Sequence, residues 1–240
     1  MHYFEINITL LLKYEIDYKR SLEPLSKVIS SSLCKTSLKE LHKRNSFKYY
    51  VFSNFLKISS NGIYPKGKNE FLFKTADEKT ATKLLQVLFD YEDRFFKIEE
   101  ISIKKVSQKP IKSLLSINPV IVTYTQKNSK PKQWTFESEI GLEYLIDNLH
   151  NNLIKKYEDF YGQKIPKCKN FIEMIQIKNQ KPLSIFYHKN EKEFRLFGNK
   201  FYIVPKDDEL SQKLAFMALS SGLGEKNALG GGFCRGYFDG

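Results

Sequence analysis

FKYYVFSNFLKISSNGIYPKGKNEFLFKT, residues 47–75, contains two apolar, aromatic-rich runs on either side of Asn61-Gly62 and Pro65 to Gly67. The first run, 47–59, is dense in aromatic and β-branched side chains, which suit a pleated, half-buried surface. EFLFKT, 70–75, repeats that composition beyond the turn residues, so the stretch predicts a strand, a turn and a returning strand. Its neighbours decide what the hairpin belongs to. Upstream, residues 21–34 space Leu22, Leu25, Ile29 and Leu33 along one helical face, with Ser21 as the cap and Pro24 in the first turn. Residues 3–13 before them alternate like a strand. Downstream, Asp77 opens a helix to Tyr91 with Ala81, Leu84, Leu85 and Leu88 inward, and 94–106 reads as a further strand.

The order is β-α-β-β-α-β, the split unit of the ferredoxin-like, RRM-like fold. A second, less regular copy follows. PVIVTYT, 119–125, is expected to start it as a strand, with a helix over 138–157 and strands near 172–178, 183–188 and 193–204. Asp207 and Asp208 open a helix over 208–219, and GGFCRGYF ends the chain as a short strand. The expected class is α+β, two tandem ferredoxin-like domains: 1–107, a polar linker 108–118, and 119–240.

The bulk numbers narrow the partners. Lys+Arg 39 against Asp+Glu 27 gives a net charge of +12, which favours a polyanion. Residues 1–120 carry 21 basic and 13 acidic side chains and 121–240 carry 18 and 14, so both halves are basic. Only five of the cations are Arg, and lysine favours phosphate contact over planar readout of bases. Cys34, Cys168 and Cys234 are odd in number and widely spaced, which indicates neither a zinc site nor a disulfide framework and fits a reduced, cytoplasmic setting. The opening HYFEINITLLL reads as a strand and not as a signal peptide, and no apolar run approaches the length of a membrane span.

Seven of the 12 glycines lie between Gly222 and Gly240. Gly222-Leu223-Gly224 begins like a dinucleotide fingerprint, but position 227 is Asn and a helix precedes it where a strand is required. G-x-x-x-x-G-K-[ST] is absent. What remains is a glycine-lined connection from a helix to the final strand. It is either a tightly turning joint or a cradle of backbone amides for phosphate, with Lys226 inside it and Arg235 beyond.

Gly222-Leu223-Gly224-Glu225-Lys226 followed by Gly230-Gly231-Gly232 resembles the glycine-rich signature G-[LI]-G-E-[KR]-x-x-x-G-x-G of the CRISPR repeat-processing endoribonucleases, the Cas-six type within the RAMP superfamily. FKYYVFSNF, 47–55, is similar to the aromatic strand that these enzymes carry after a histidine-bearing loop. The resemblance implies cleavage of precursor CRISPR RNA within each repeat, without metal or cofactor, by attack of a ribose 2′-OH on the adjacent phosphate. The ends would be a 2′,3′-cyclic phosphate and a 5′-OH. It implies His42 as general acid or base and Lys48 as the cation that stabilises the transition state. RNA contacts are assigned to Lys43, Arg44, Gly222, Gly224, Lys226, Gly230, Gly232 and Arg235. Several relatives place a Tyr in the first helix as a third catalytic group; no Tyr lies between Tyr18 and Tyr49 here, and Ser30 to Ser32 are weaker substitutes.

Expected partners are the repeat RNA and further subunits of an interference complex, with no membrane, for a monomer or homodimer. Two alternatives stand beside this reading. One is a non-catalytic repeat-RNA binding subunit of the same fold, and the other a basic ferredoxin-like protein with no RNA role. Tyr49, Tyr50 and Phe52 could stack bases, but the core is the better assignment for most of them. His2, His150 and His188 read as structural or exposed.

Overall fold

A computed structural model describes residues 1–39, 46–126, 130–189 and 192–238. Two four-stranded antiparallel sheets dominate it. The first is built from β1 (His2–Leu12), β2 (Tyr50–Phe52), β3 (Gly67–Thr75) and β4 (Phe96–Ser107), in the order β2-β3-β1-β4. Helices α1 (Leu22–Cys34) and α2 (Glu78–Leu88) follow β1 and β3. The second sheet uses β5 (Ile111–Ser116), β6 (Ile172–Ile177), β7 (Phe201–Pro205) and β8 (Cys234–Phe238), in the order β6-β7-β5-β8. Its helices are α3 (Leu142–Tyr161) after β5 and α4 (Glu209–Ser221) after β7. Both sheets show one permutation of strands, so the tandem ferredoxin-like expectation holds.

Strand β1 carries Phe4, Ile6, Ile8, Leu10 and Leu12 on one face, all buried in the first core with α1 and α2. The alternation that suggested a strand is therefore the alternation that fills the core. Asp77 caps α2 by accepting from Thr80 N at 3.0 Å, and Asp208 caps α4 by accepting from Ser211 N at 3.0 Å. Each satisfies an amide that has no partner within its helix. Ser21 does not cap α1: its hydroxyl donates to Tyr18 O at 2.6 Å.

Several expectations change. The run 119–125 is not the first strand of the second unit; β5 is, and it lies inside the stretch 108–118 that composition marked as a linker. Val120, Ile121 and Val122 are buried for another reason. Ile121 packs in the first core while Val120 and Val122 pack in the second, so this segment threads between the two units. Polarity misled at 108–118 because β5 is short, exposes Lys112 and buries two serines, Ser113 and Ser116. The long strand expected over 47–59 survives only as Tyr50–Phe52. Beyond it, Ser53 Oγ accepts from Leu72 N at 2.8 Å, and buried Asn69 Oδ1 accepts from Leu56 N and Lys57 N at 3.1 Å each. Side-chain acceptors there share the pairing with the remaining backbone bonds, Ser53 N to Leu72 O and Leu56 N to Glu70 O.

The helix expected over 138–157 begins at Leu142, because Ser138 closes a turn with Thr135 and Gly141 is the cap. The strand expected over 193–204 is split at Gly198. A Cβ there would lie 2.3 Å from Val120 O, where the threading segment crosses.

Helix α4 joins the units. Every residue from Leu214 to Ser221 is buried, as expected of a helix with protein on all sides. It packs on β5, β7 and β8 of its own sheet and on β2 and β3 of the other, with Phe216 5.2 Å from Tyr3. A hairpin, Leu183–Lys189 with Lys192–Gly198, leaves the second unit and lies along α1. His188 on it donates its amide to Glu23 Oε1 at 3.1 Å, with Nδ1 3.0 Å from Glu23 Oε2. Among the described residues no helix is long and apolar enough to cross a membrane.

Candidate functional site

The glycine-rich segment lies at the junction of the two units, and it is largely closed. Gly222, Gly224, Gly230, Gly231 and Gly232 are buried. A Cβ on Gly232 would stand 1.8 Å from Leu223 O, and one on Gly224 would stand 2.6 Å from Ile121 O. Both also have positive φ, +70° and +68°, which only glycine adopts at little cost. Many of the segment's amides are already used: Leu223 N donates to Gly232 O, Glu225 N to Ile121 O, Gly231 N to Lys226 O and Gly232 N to Pro119 O, at 2.8–3.1 Å. Glycine is required here so that backbone can pass against backbone. The expected contact of Gly222, Gly224, Gly230 and Gly232 with phosphate through bare amides does not fit this packing.

Two buried side chains fasten the segment. Asn118 Nδ2 donates to Phe52 O at 3.0 Å and Gly230 O at 2.6 Å, tying β2 to the loop. Lys156 on α3 donates to Gly222 O at 2.7 Å, Gly224 O at 3.0 Å and Asn227 Oδ1 at 2.8 Å. Burial pulls its pKa down to about 7, yet three oxygen acceptors match the three N–H groups of an ammonium.

Where the loop turns outward it borders a cleft of about 1030 Å³ between the units. Lys226, at φ +59°, and the 3-10 turn Asn227–Leu229 form one side. Residues 46–50, between the helix and the aromatic strand, form another, and α3 contributes Lys155, Lys156, Glu158 and Asp159. Among the described residues five lysines (Lys48, Lys155, Lys156, Lys164, Lys226) line the cleft against three carboxylates. One of these, Glu225, is turned back to accept from Thr123 N at 3.1 Å and Thr123 Oγ1 at 2.8 Å. The balance is positive, which suits an anion. Burial holds the Lys48 pKa below the usual lysine value, with a smaller opposing effect from the Cys34 thiol.

Tyr49 beside Lys48 has φ +52°, a conformation that costs a side-chain-bearing residue about 1–2 kcal/mol. Its surroundings hold it there. Thr75 Oγ1 and Ala76 N donate to its carbonyl at 2.9 and 3.1 Å, its hydroxyl bonds Asp159, and its ring sits 4.9 Å from Phe160. Burial and the Asp159 carboxylate push the phenol's pKa up, so it stays protonated. Strained backbone of this kind gathers at functional sites. Tyr50 and Phe52, by contrast, are core residues.

Of the residues chosen from sequence, Lys48 and Lys226 both line the cleft. His42, Lys43 and Arg44 lie outside the described residues. Gly222, Gly224, Gly230 and Gly232 stand behind the cleft, and Arg235 is exposed on β8, opposite Leu115 and outside the cleft lining. Sequence reasoning missed Lys156, Asn118 and the Tyr49–Asp159 bond. Lys156 did carry a signal: it falls three residues after Leu153, on the apolar stripe of α3, where a solvated lysine does not belong.

Fold and cleft together define a class: tandem ferredoxin-like units with a lysine-lined junction closed by a glycine-rich loop. The profile of the family described as CRISPR associated protein Cas6, C-terminal, matches residues 103–235. The chain belongs to the Cas6 family. A curated relative, CRISPR-associated endoribonuclease Cas6 2 of Methanocaldococcus jannaschii, is 25% identical over 218 residues, covering 85% of this chain and 87% of the relative. A solved structure described as CRISPR associated protein Cas6 is similar with a TM-score of 0.72 at 22% identity, covering 98% of this chain and 99% of its own. A second, described as a RAMP protein binding different RNA substrates, has a TM-score of 0.69 at 16% identity over 98% and 99%. A Cas6 product complex has a TM-score of 0.64 at 11% identity over the same shares.

Proposed function

We propose that this protein is an endoribonuclease that cleaves precursor CRISPR RNA within its repeats. One observation carries the reading: in a chain of the Cas6 family, the lysine-lined cleft between the units brings Lys48 and Lys226 together from opposite ends of the sequence. Residues 46–50 on its wall immediately follow the segment that carries His42. The curated relative is named an endoribonuclease, and a structural neighbour is a product complex.

The chemistry follows from what RNA supplies. Its own 2′-OH is the nucleophile, adjacent to the scissile phosphate, so two protons must move and a phosphorane must be stabilised. Histidine as a residue type suits proton exchange near neutral pH, so His42 takes the proton of the 2′-OH or gives one to the 5′ oxygen, and solvent water makes the other transfer. The Lys48 ammonium stabilises the charge that builds on the non-bridging oxygens. Loss of the 5′ oxygen leaves a 2′,3′-cyclic phosphate and a 5′-OH, and no metal-bound water takes part. Lys226, Lys155 and Lys164 hold the flanking phosphates, and Tyr49 offers a ring edge for an unpaired base. Lys43 and Arg44 add cations next to His42, and Arg235 reaches RNA beyond the cleft.

The test is single-turnover cleavage of a repeat oligoribonucleotide in EDTA, with the product ends identified. His42→Ala is expected to lower the rate by about 10³-fold while binding of a 2′-deoxy substrate analogue changes little. Undiminished cleavage by that variant removes His42 from the mechanism. Wild-type protein that binds the repeat but never yields a cyclic phosphate is the binding subunit instead.

A further inference from the structure

We infer that Lys156 is a positioning residue for RNA, whose buried ammonium holds the glycine-rich loop in the shape that delivers Lys226 to the cleft. This inference rests on the reading above for its substrate, and it goes beyond that reading in assigning a role to a side chain that the RNA need not touch.

Lys156 is almost fully buried, and Gly222 O, Gly224 O and Asn227 Oδ1 take its three N–H groups, while among the described residues no carboxylate forms an ion pair with it. A buried cation held chiefly by neutral dipoles is costly. A methionine of similar length would fill the same space without that cost, so the charge has work to do at this place.

All three acceptors belong to one short stretch, 222–227. Two are carbonyls of positive-φ glycines, and the third is the side chain of the residue next to Lys226. Asn227 in turn donates from Nδ2 to Gly231 O at 2.9 Å and to Leu223 O at 3.2 Å, so one lysine and one asparagine tie both limbs of the loop together. Lys226 lies between those ties at φ +59°, exposed, on the cleft. A lysine in the left-handed region is held there by its neighbours and not by its own preference. The groups facing Lys156 are the neutral, buried Cys234 thiol, whose pKa burial pushes up to about 12, and the Glu225 carboxylate, which is engaged with Thr123. Neither replaces an acceptor in the loop.

The experiment is a cycle on the full chain with a repeat oligoribonucleotide: wild type, Lys156→Met, Lys226→Ala and the double variant, each checked for a cooperative melt. Lys156→Met is expected to raise KM about tenfold with kcat nearly unchanged, because binding is lost and the chemical groups on the 46–50 side stay in place. It should also reduce the slope of log affinity against log salt by about 0.7, the loss of one phosphate contact to single-stranded RNA. Lys226→Ala should do the same, and the double variant should be no worse than either single one. Additive losses, or a Lys156→Met variant with equal falls in kcat and kcat/KM, overturn the inference.

Should Lys156→Met fail to fold, Asn227→Ala cuts the same ties while leaving two acceptors in place. It is expected to raise KM similarly, and an unchanged KM overturns the inference. A wild-type protein that binds no repeat RNA refutes the proposed function instead. The loop then decides separately: in free protein its amides should exchange at least about tenfold faster in the variant, and equal rates refute the role of Lys156.

Discussion

Two buried lysines stand at the junction of the units, and they are compensated in different ways. Lys74, on β3 of the first unit, forms an ion pair with Glu5 at 3.3 Å and donates to Cys234 O of the second unit at 3.0 Å. Its ammonium also lies 4.7 Å from the Phe233 ring centre and 5.5 Å from that of Tyr3. Lys156 donates to three oxygen dipoles and, among the described residues, forms no ion pair. The first arrangement is a lock: the ion pair lies between β1 and β3 of the first unit, and the same ammonium reaches across the junction to the Cys234 carbonyl, outside the cleft lining. The second borders the cleft and holds a loop. Buried charge serves adhesion in one place and presentation of a ligand contact in the other.

The largest effect expected on this junction comes from filling the space that both lysines organise around. Gly232→Ala puts a methyl group into Leu223 O and should destabilise the chain by about 4 kcal/mol, with a melting temperature roughly 10 °C lower. A stability unchanged in urea denaturation would mean that the loop is not packed as described. Lys74→Met should cost about 3 kcal/mol, because it leaves the Cys234 carbonyl without its donor and half-buried Glu5 with Lys104 alone. Adding Glu5→Gln should recover part of that loss, and a double variant no better than the single one would contradict the lock.

Asn118→Ala, which releases Phe52 O and Gly230 O together, should cost about 2 kcal/mol and is read by the same melts. A pH series then separates the two lysines. The Lys156 pKa lies near 7 in the folded chain and near its ordinary 10.4 unfolded. Between those values the unfolded chain binds a proton that the folded chain has released, so stability attributable to Lys156 rises with pH. Measured against Lys156→Met from pH 6 to 9, wild type should gain. A difference that falls with pH would show that the ammonium is favoured by the fold over water.

Much of the fold was legible because two periodicities are local. Alternation in His2–Leu12 and helical spacing in α1 and α2 report burial on one face, and Asp77 and Asp208 mark helix starts through bonds only three residues long. Where the reading failed, the cause lay outside the window. Val120 to Val122 are apolar because two cores flank them, and Ser53 and Asn69 end a strand by bonding across the sheet. Of the candidate site, Lys48 and Lys226 were found from motif resemblance, whereas Lys156 and Tyr49–Asp159 depend on approaches across 66 to 110 residues of chain.

By itself the sequence determined the element types, the doubled unit, the basic balance and the unusual glycine cluster, since each follows from residue chemistry over a few positions. Only the tertiary structure decided what the glycines are for. Whether a backbone amide is open to a phosphate or already bonded depends on which segment passes against it. Here Ile121, Pro119 and the loop's own return limb arrive first, and the positive charge faces the cleft from Lys226 and its neighbours.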